Sequence, residues 1–257
     1  MSERVARRTF LGLSAGLFAA SLAVSVVWCR AMAATSEPPC GWTAMMGWAP
    51  MPGQSVQALA ASFLGMWTVM MVAMMLPSLL PVLWRYRLRI SRSGTGQAGL
   101  LAALVGLGYF LAWSTLGLIV LPLTLALGAV ATRLPMPGRD IPVVLGAVVV
   151  AAGALQFTPW KVRHLSHCRA VSARDCVPSA HTVDALGAGL HLGRHCIASC
   201  AGAAAIVVAT GAMDLAVMAV VTSAITLERW VPNGARTVQC LGAFAIATGG
   251  WLMASGM

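Results

Sequence analysis

The sequence predicts an all-α membrane protein, a polytopic transmembrane bundle of about seven helices. Of its 257 residues, 59% are hydrophobic and only 9% are charged, and the mean hydropathy is +0.82. Such a chain is too apolar for an ordinary soluble domain or for a disordered protein. Several long runs without charge are also present, each able to cross a bilayer core of about 30 Å.

The distribution of basic residues predicts the orientation of these spans. A net charge of +10 would suggest nucleic acid in a soluble protein, but these residues lie in short segments between apolar runs, so nucleic acid is not an expected partner. With the N-terminus inside, only Arg30, Arg133 and Arg139 fall outside, which leaves 14 of the 17 basic residues inside. The positive-inside rule therefore predicts an N-in/C-out, multi-pass protein of the bacterial inner membrane, with the lipid bilayer around it.

The first region, residues 1–57, is predicted to hold one span and an external loop. The apolar run 10–28 follows three arginines and precedes a small-residue segment, a pattern that also resembles a cleavable signal. Its length and the polytopic chain behind it favour a retained helix. Residues 30–57 are rich in Pro, Trp and Met, which suits an interfacial loop, although such methionines can also capture a soft metal.

Residues 58–83 form the second predicted span, around which the other spans are organised. At about 100° per residue, its methionines fall on one face or beside it. They are Met66, Met70, Met71, Met74 and Met75. Pro77 and Pro81 follow, and a thioether stripe next to a kinked helix end can bind Cu(I). The alternative is that these methionines are flexible packing between helices.

Residues 58–257 are predicted to form a six-helix membrane core. Its remaining spans cover residues 98–121, 141–157, 196–211, 215–227 and 238–254. The polar stretch 161–195, which carries all five histidines, is expected to be a cytoplasmic His/Cys loop. Glu228, at the end of the sixth span, is expected to have a nearby basic residue or an interfacial position and to be a structural anchor; the alternative is a metal or proton role.

Two short-spaced pairs are the candidates for a metal site. His164 and Cys168 are four residues apart, as are Cys196 and Cys200, so each pair shares a helical face. Imidazole and thiolate suit Zn(II), Cu(I) or Cu(II). The second pair is expected near the start of a helix, where the dipole favours thiolate, with the Cβ atoms of the three cysteines within about 8–10 Å. The alternative is small buried cysteines and solvated loop histidines.

The segment from Trp67 to Ser78, with its paired methionines, resembles the signature of the domain-of-unknown-function 2182 family of bacterial membrane proteins. Other matches, in the same order along the chain, are residues 153–161, 164–169, 193–200, 211–215 and 228–234. The resemblance covers roughly residues 60–250. It implies a metal-binding integral membrane protein but implies no reaction.

The chain departs from that family's pattern at two positions that matter for a metal. His164 stands where the family has a cysteine, and it can still ligate. Ser199 stands within a cysteine-rich run of the family, so one thiol is absent, while Cys168, Cys196 and Cys200 remain.

Together these observations predict a protein that handles copper, as Cu(I), or zinc, through transport, delivery or assembly of a partner metalloprotein. The predicted ligands are His164, Cys168, Cys196 and Cys200, with Met70, Met71, Met74 and Met75 lining a buried path or second site. One rival is a structural membrane subunit that packs against a partner without metal. The other is a thiol oxidoreductase, which the absence of a CxxC pair disfavours. No enzymatic activity is expected.

Overall fold

The computed structural model describes residues 3–35, 55–92, 96–133, 140–173, 181–210, 214–231 and 234–256. Within these ranges it contains helices and turns and no strand, which confirms the predicted all-α class. The helices are α1 (Glu3–Thr35), α2 (Val56–Arg92), α3 (Ala98–Arg133), α4 (Asp140–Leu155), α5 (Pro159–Ala173), α6 (Thr182–Thr210), α7 (Leu215–Trp230) and α8 (Gly234–Gly256). The predictions for the Met- and Trp-rich loop fall almost wholly on residues 36–54, outside the described residues.

Five of these helices, α1, α2, α3, α6 and α8, are long and apolar enough to cross a membrane. Helices α4 and α5 meet at a bend of 67° and add a sixth span if they are one broken span. Helix α7, expected as a span, has only 16 residues. The apolar helices therefore fit a membrane protein, while the count of seven spans and the N-in/C-out orientation stay predictions.

Helix α2 lies at the centre of the bundle and contacts α1, α3, α5 and α7. It continues through Pro77 and Pro81 to Arg92, beyond residue 83, where the predicted span ends. Two polar contacts fix α2 against α3: the Trp67 indole donates to the carbonyl of Trp113 at 2.9 Å, and the hydroxyls of Thr68 and Ser114 lie 3.0 Å apart.

Helices α3 and α6 approach each other closely because glycines line their contact. A Cβ atom on Gly189 would collide with the carbonyl of Val105, and one on Gly108 with the carbonyl of Leu186. Small residues at a membrane-helix interface let two backbones come this near. The approach positions Tyr109 of α3 against Cys196 of α6.

The polar stretch 161–195, expected as a loop, is largely helical in the described residues. Helix α5 runs to Ala173, and α6 begins at Thr182 rather than near residue 196. The first half of α6 is amphipathic: Ala185, Gly189 and Leu192 are buried, while polar residues such as Arg194 face outward. Cys196 therefore lies in the middle of α6. The prediction that it lies near a helix start, where the helix dipole would favour its thiolate, was wrong.

Candidate metal centre

The site is built on one face of α6, where Cys196 and Cys200 lie one turn apart. Their relative exposures are 0% and 2%, and their sulfur atoms are 4.0 Å apart. Both are free cysteines. With metal–sulfur bonds of about 2.3 Å, two thiolates bound to one ion lie at most about 4.6 Å apart. The two sulfur atoms are thus within the range that one ion can bridge.

Arg229, in the last turn of α7, is the main partner of these sulfur atoms. Its Nη2 lies 2.7 Å from Cys196 Sγ and 3.8 Å from Cys200 Sγ, and its Nη1 donates to Ser78 Oγ on α2 at 3.3 Å. A guanidinium group is always charged and can only donate, so its best sulfur acceptor is a thiolate. Arg229 therefore joins α2, α6 and α7 through one permanent positive charge.

Two hydroxyl groups complete the immediate surroundings of the sulfur pair. Tyr109 of α3 is fully buried, and its hydroxyl lies 2.8 Å from Cys196 Sγ. Ser199 donates to the carbonyl of Cys196 at 2.9 Å and lies 3.7 Å from Cys200 Sγ. The sulfur of Cys196 is thus contacted by a guanidinium, a phenol and a second sulfur, with little room for water.

Cys168 of α5 lies in the same buried region as this sulfur pair, and we call Cys168, Cys196 and Cys200 the sulfur cluster. Cys168 is 5% exposed and belongs to the same buried cluster of side chains as Cys196 and Cys200. Cys168 and Arg229 also line a pocket of about 290 Å³. The other lining residues are Ser78, Leu79, Pro81, Val82, Arg85, Leu192 and Trp230. The pocket therefore extends from Cys168 and Arg229 to α2 and to the exposed Arg85.

His164 belongs to a different cluster, on the outer side of α5 and α6. Its Nδ1 lies 2.9 Å from Nδ1 of His195, whose Nε2 lies 3.3 Å from Nε2 of His191. The ring of His167 stacks on His195 with the ring centroids 4.8 Å apart. His167 and His191 are exposed, and the other two are half-buried. We call these four residues the histidine cluster.

The four predicted His and Cys ligands therefore divide between two places. The three cysteines come together, while His164 contacts His195 and Trp160. Across the described part of the chain, no group of three or more His, Cys, Asp or Glu side chains is arranged to hold a metal ion. The four-ligand set stays a prediction, and the residues present fit an ion that needs only two thiolates.

The predicted methionines are all buried in α2. Met70, Met71, Met74 and Met75 have relative exposures of 1 to 3%. Ser78, which accepts from Arg229, donates its own hydroxyl to the carbonyl of Met75 at 2.9 Å. The methionine face thus ends about one helical turn before Ser78, the residue that binds the guanidinium of Arg229. The burial of these methionines fits both a metal path and simple packing between helices.

Glu228 has the basic partner that was expected. Its Oε2 pairs with Nζ of Lys161 at 2.9 Å, and its Oε1 accepts from Gln156 Nε2 at 3.0 Å. Both charged side chains are buried. The pair fastens the start of α5 to the end of α7, so Glu228 and Arg229, adjacent in sequence, hold different parts of the site.

Tyr109 and Arg229 are the two site residues that the sequence analysis missed. Both carried a signal. The chain has only two tyrosines, and one lies inside an apolar span, where a hydroxyl needs a partner. Arg229 follows an acidic residue at the end of a helix and lies within the stretch 228–234 that resembles the family signature.

Comparison with known protein families places the chain in a family of copper proteins. The model of the PpoB2 family, described as copper chaperone, matches residues 64–252, which include every site residue named above. No curated protein and no solved structure matches the chain. The match confirms the predicted relation to copper, under a family name other than domain-of-unknown-function 2182.

Proposed function

The chain belongs to the PpoB2 family of copper chaperones, and we propose that it binds Cu(I) as cargo at the Cys196–Cys200 pair. The observation that carries this proposal is a pair of fully buried free thiols whose sulfur atoms are 4.0 Å apart. Thiolates are soft ligands and select soft ions such as Cu(I). A dry, two-sulfur site suits this ion better than Zn(II), which takes four ligands in structural sites.

We assign Cys168 and the adjoining pocket to the entry and exit of the ion. Cys168 lines the pocket and belongs to the same buried cluster of side chains as the sulfur pair, so it can pass an ion to Cys200 when α5 moves toward α6. The buried methionines Met70, Met71, Met74 and Met75 supply weak, soft donors along α2 and would extend this route into the bundle. His164 would capture ions outside the sulfur cluster.

In this proposal the protein is a multi-pass protein of the bacterial inner membrane, with the site near its cytoplasmic side. The bias of basic residues toward one set of segments supports this orientation. The cargo would be delivered to a partner metalloprotein or a membrane subunit. A buried site with an adjacent pocket supports such delivery, because the ion is shielded until a partner reaches the opening.

The test is a Cu(I) titration of the purified protein in detergent against a chromophoric Cu(I) chelator. Wild type is expected to bind one tightly held ion at this pair, and Cys196→Ser is expected to lose it. Cys240→Ser is the matched control, since Cys240 is an exposed cysteine on α8. It should bind as wild type does.

Equal Cu(I) binding in Cys196→Ser and wild type would contradict the proposal. Absence of stoichiometric metal in wild type would favour the structural subunit. A Cys196–Cys200 disulfide that forms and is reduced in turnover with a thiol substrate would favour the oxidoreductase.

A further inference from the structure

We propose that Arg229 determines the specificity of this site: its fixed charge restricts the sulfur pair to a monovalent ion, so Cu(I) is selected over divalent ions by charge balance. The inference rests on the proposed function, because it concerns the same two thiolates. It adds a residue that neither the spacing of the cysteines nor their chemistry identifies.

The geometry places Arg229 where it must affect any bound ion. Its Nη2 is 2.7 Å from Cys196 Sγ, and its Nε is buried without a partner among the described residues. Its Nη1 donates a long hydrogen bond of 3.3 Å to Ser78 Oγ. The guanidinium can therefore shift by a small distance when an ion binds and still neutralise the complex.

The charges then decide which ion fits. Metal binding requires both cysteines to be deprotonated. Two thiolates, one guanidinium and one monovalent cation sum to zero, whereas a divalent cation leaves one uncompensated positive charge. Uncompensated charge is costly where water is excluded, and Cys196 and Cys200 are at most 2% exposed. Among the described residues that are buried, the charged side chains are Lys161 and Glu228, and they form a pair with no net charge.

A third thiolate would restore the balance for a divalent ion, and Cys168 is the candidate. The described residues contain no group of three such ligands arranged around one ion, so this route requires α5 to move relative to α6. Arg85, an exposed residue that also lines the pocket, adds further positive charge there. Both observations favour the monovalent ion.

The test compares Cu(I), Zn(II) and the thiophilic divalent ion Cd(II) in competition titrations on the full-length protein. We expect Arg229→Gln to change the ratio of Cu(I) to Zn(II) affinity by at least tenfold in favour of Zn(II). Arg229→Lys keeps the charge and should keep the preference for Cu(I). Arg87→Gln is the control for net charge, because Arg87 lies on α2 against Phe10 and Trp84.

An unchanged ratio in Arg229→Gln, with binding that still depends on Cys196, would overturn the inference and leave the proposed function standing. Cu(I) binding that does not depend on Cys196 would overturn the proposed function itself, and the inference with it. If Arg229→Gln does not fold, the relative affinities of the wild-type protein for these ions test the inference instead. Cd(II) that binds as tightly as Cu(I) would contradict charge selection, as would tight Zn(II) binding that persists in Cys168→Ser.

Discussion

The sulfur cluster and the histidine cluster are built from the same two helices, yet they lie in opposite environments. Cys168 and Cys196 come from α5 and α6, and so do His164 and His195. Cys168 and Cys196 are 5% and 0% exposed to solvent. His164 and His195 are half-buried, and the other two histidines of their cluster are exposed. Residues that are adjacent in sequence, such as His195 and Cys196, therefore belong to different sites, because one step along a helix turns the side chain by about 100°.

This difference separates two kinds of metal chemistry. The sulfur cluster excludes water and carries a fixed positive charge from Arg229, which suits a tightly held soft ion. The histidine cluster is open to solvent, and its rings contact each other and not the sulfur pair. We expect it to hold ions weakly and to contribute little to the affinity for Cu(I).

The largest difference in Cu(I) affinity is expected between two variants, one with a cysteine of the sulfur pair replaced and one with a histidine of the histidine cluster replaced. Cys200→Ser removes one of two thiolates and should lower Cu(I) affinity by about a hundredfold or more, since even partners outside the ligand shell account for about 10–100-fold. His195→Ala should change it by less than about threefold. The measurement is competition with a Cu(I) chelator, and a comparable loss in both variants would remove the distinction between the clusters.

A second contrast concerns the two sides of α5. Lys161→Met removes the lysine of the buried ion pair with Glu228, and removing one partner of such a pair costs about 3–5 kcal/mol. Arg163→Met, on the exposed side of the same helix, should change the free energy of unfolding by no more than about 0.5 kcal/mol. Denaturant unfolding in detergent measures both, and equal costs would show that the ion pair does not anchor α5.

A smaller effect is expected at the phenol that contacts Cys196. Tyr109→Phe removes a hydrogen bond to the sulfur and should weaken Cu(I) binding by about tenfold, as loss of a partner outside the ligand shell does. Tyr86→Phe, at the other tyrosine of the chain, is the matched control and should have no effect on the same titration. Equal affinities for Tyr109→Phe and wild type would mean that the phenol only fills space.

Much of the fold could be predicted from the sequence because long apolar runs leave few alternatives to helices in a membrane. The central position of α2 followed from its uncharged, methionine-rich segment. The helical part of residues 161–195 was missed because its polar residues were interpreted as a loop signal. The buried residues Ala185, Gly189, Leu192 and Cys196 form a helical stripe that the charges around them conceal.

The candidate site was predictable only in part. Spacing identified Cys196 and Cys200, because an i, i+4 pair shares a face in any helix. Spacing could not show that His164 turns toward His195, since that depends on how α5 crosses α6. Nor could it find Tyr109 and Arg229, which reach Cys196 from α3 and α7, distant in sequence.

X-ray absorption spectroscopy of the protein loaded with one equivalent of Cu(I) tests the central claim most directly. A two-thiolate site predicts sulfur scatterers alone in the first shell, and a spectrum that is lost in Cys196→Ser and retained in His195→Ala. Nitrogen scatterers from imidazole in the first shell, or a spectrum that Cys196→Ser leaves unchanged, would contradict the assignment of the cargo to the sulfur cluster.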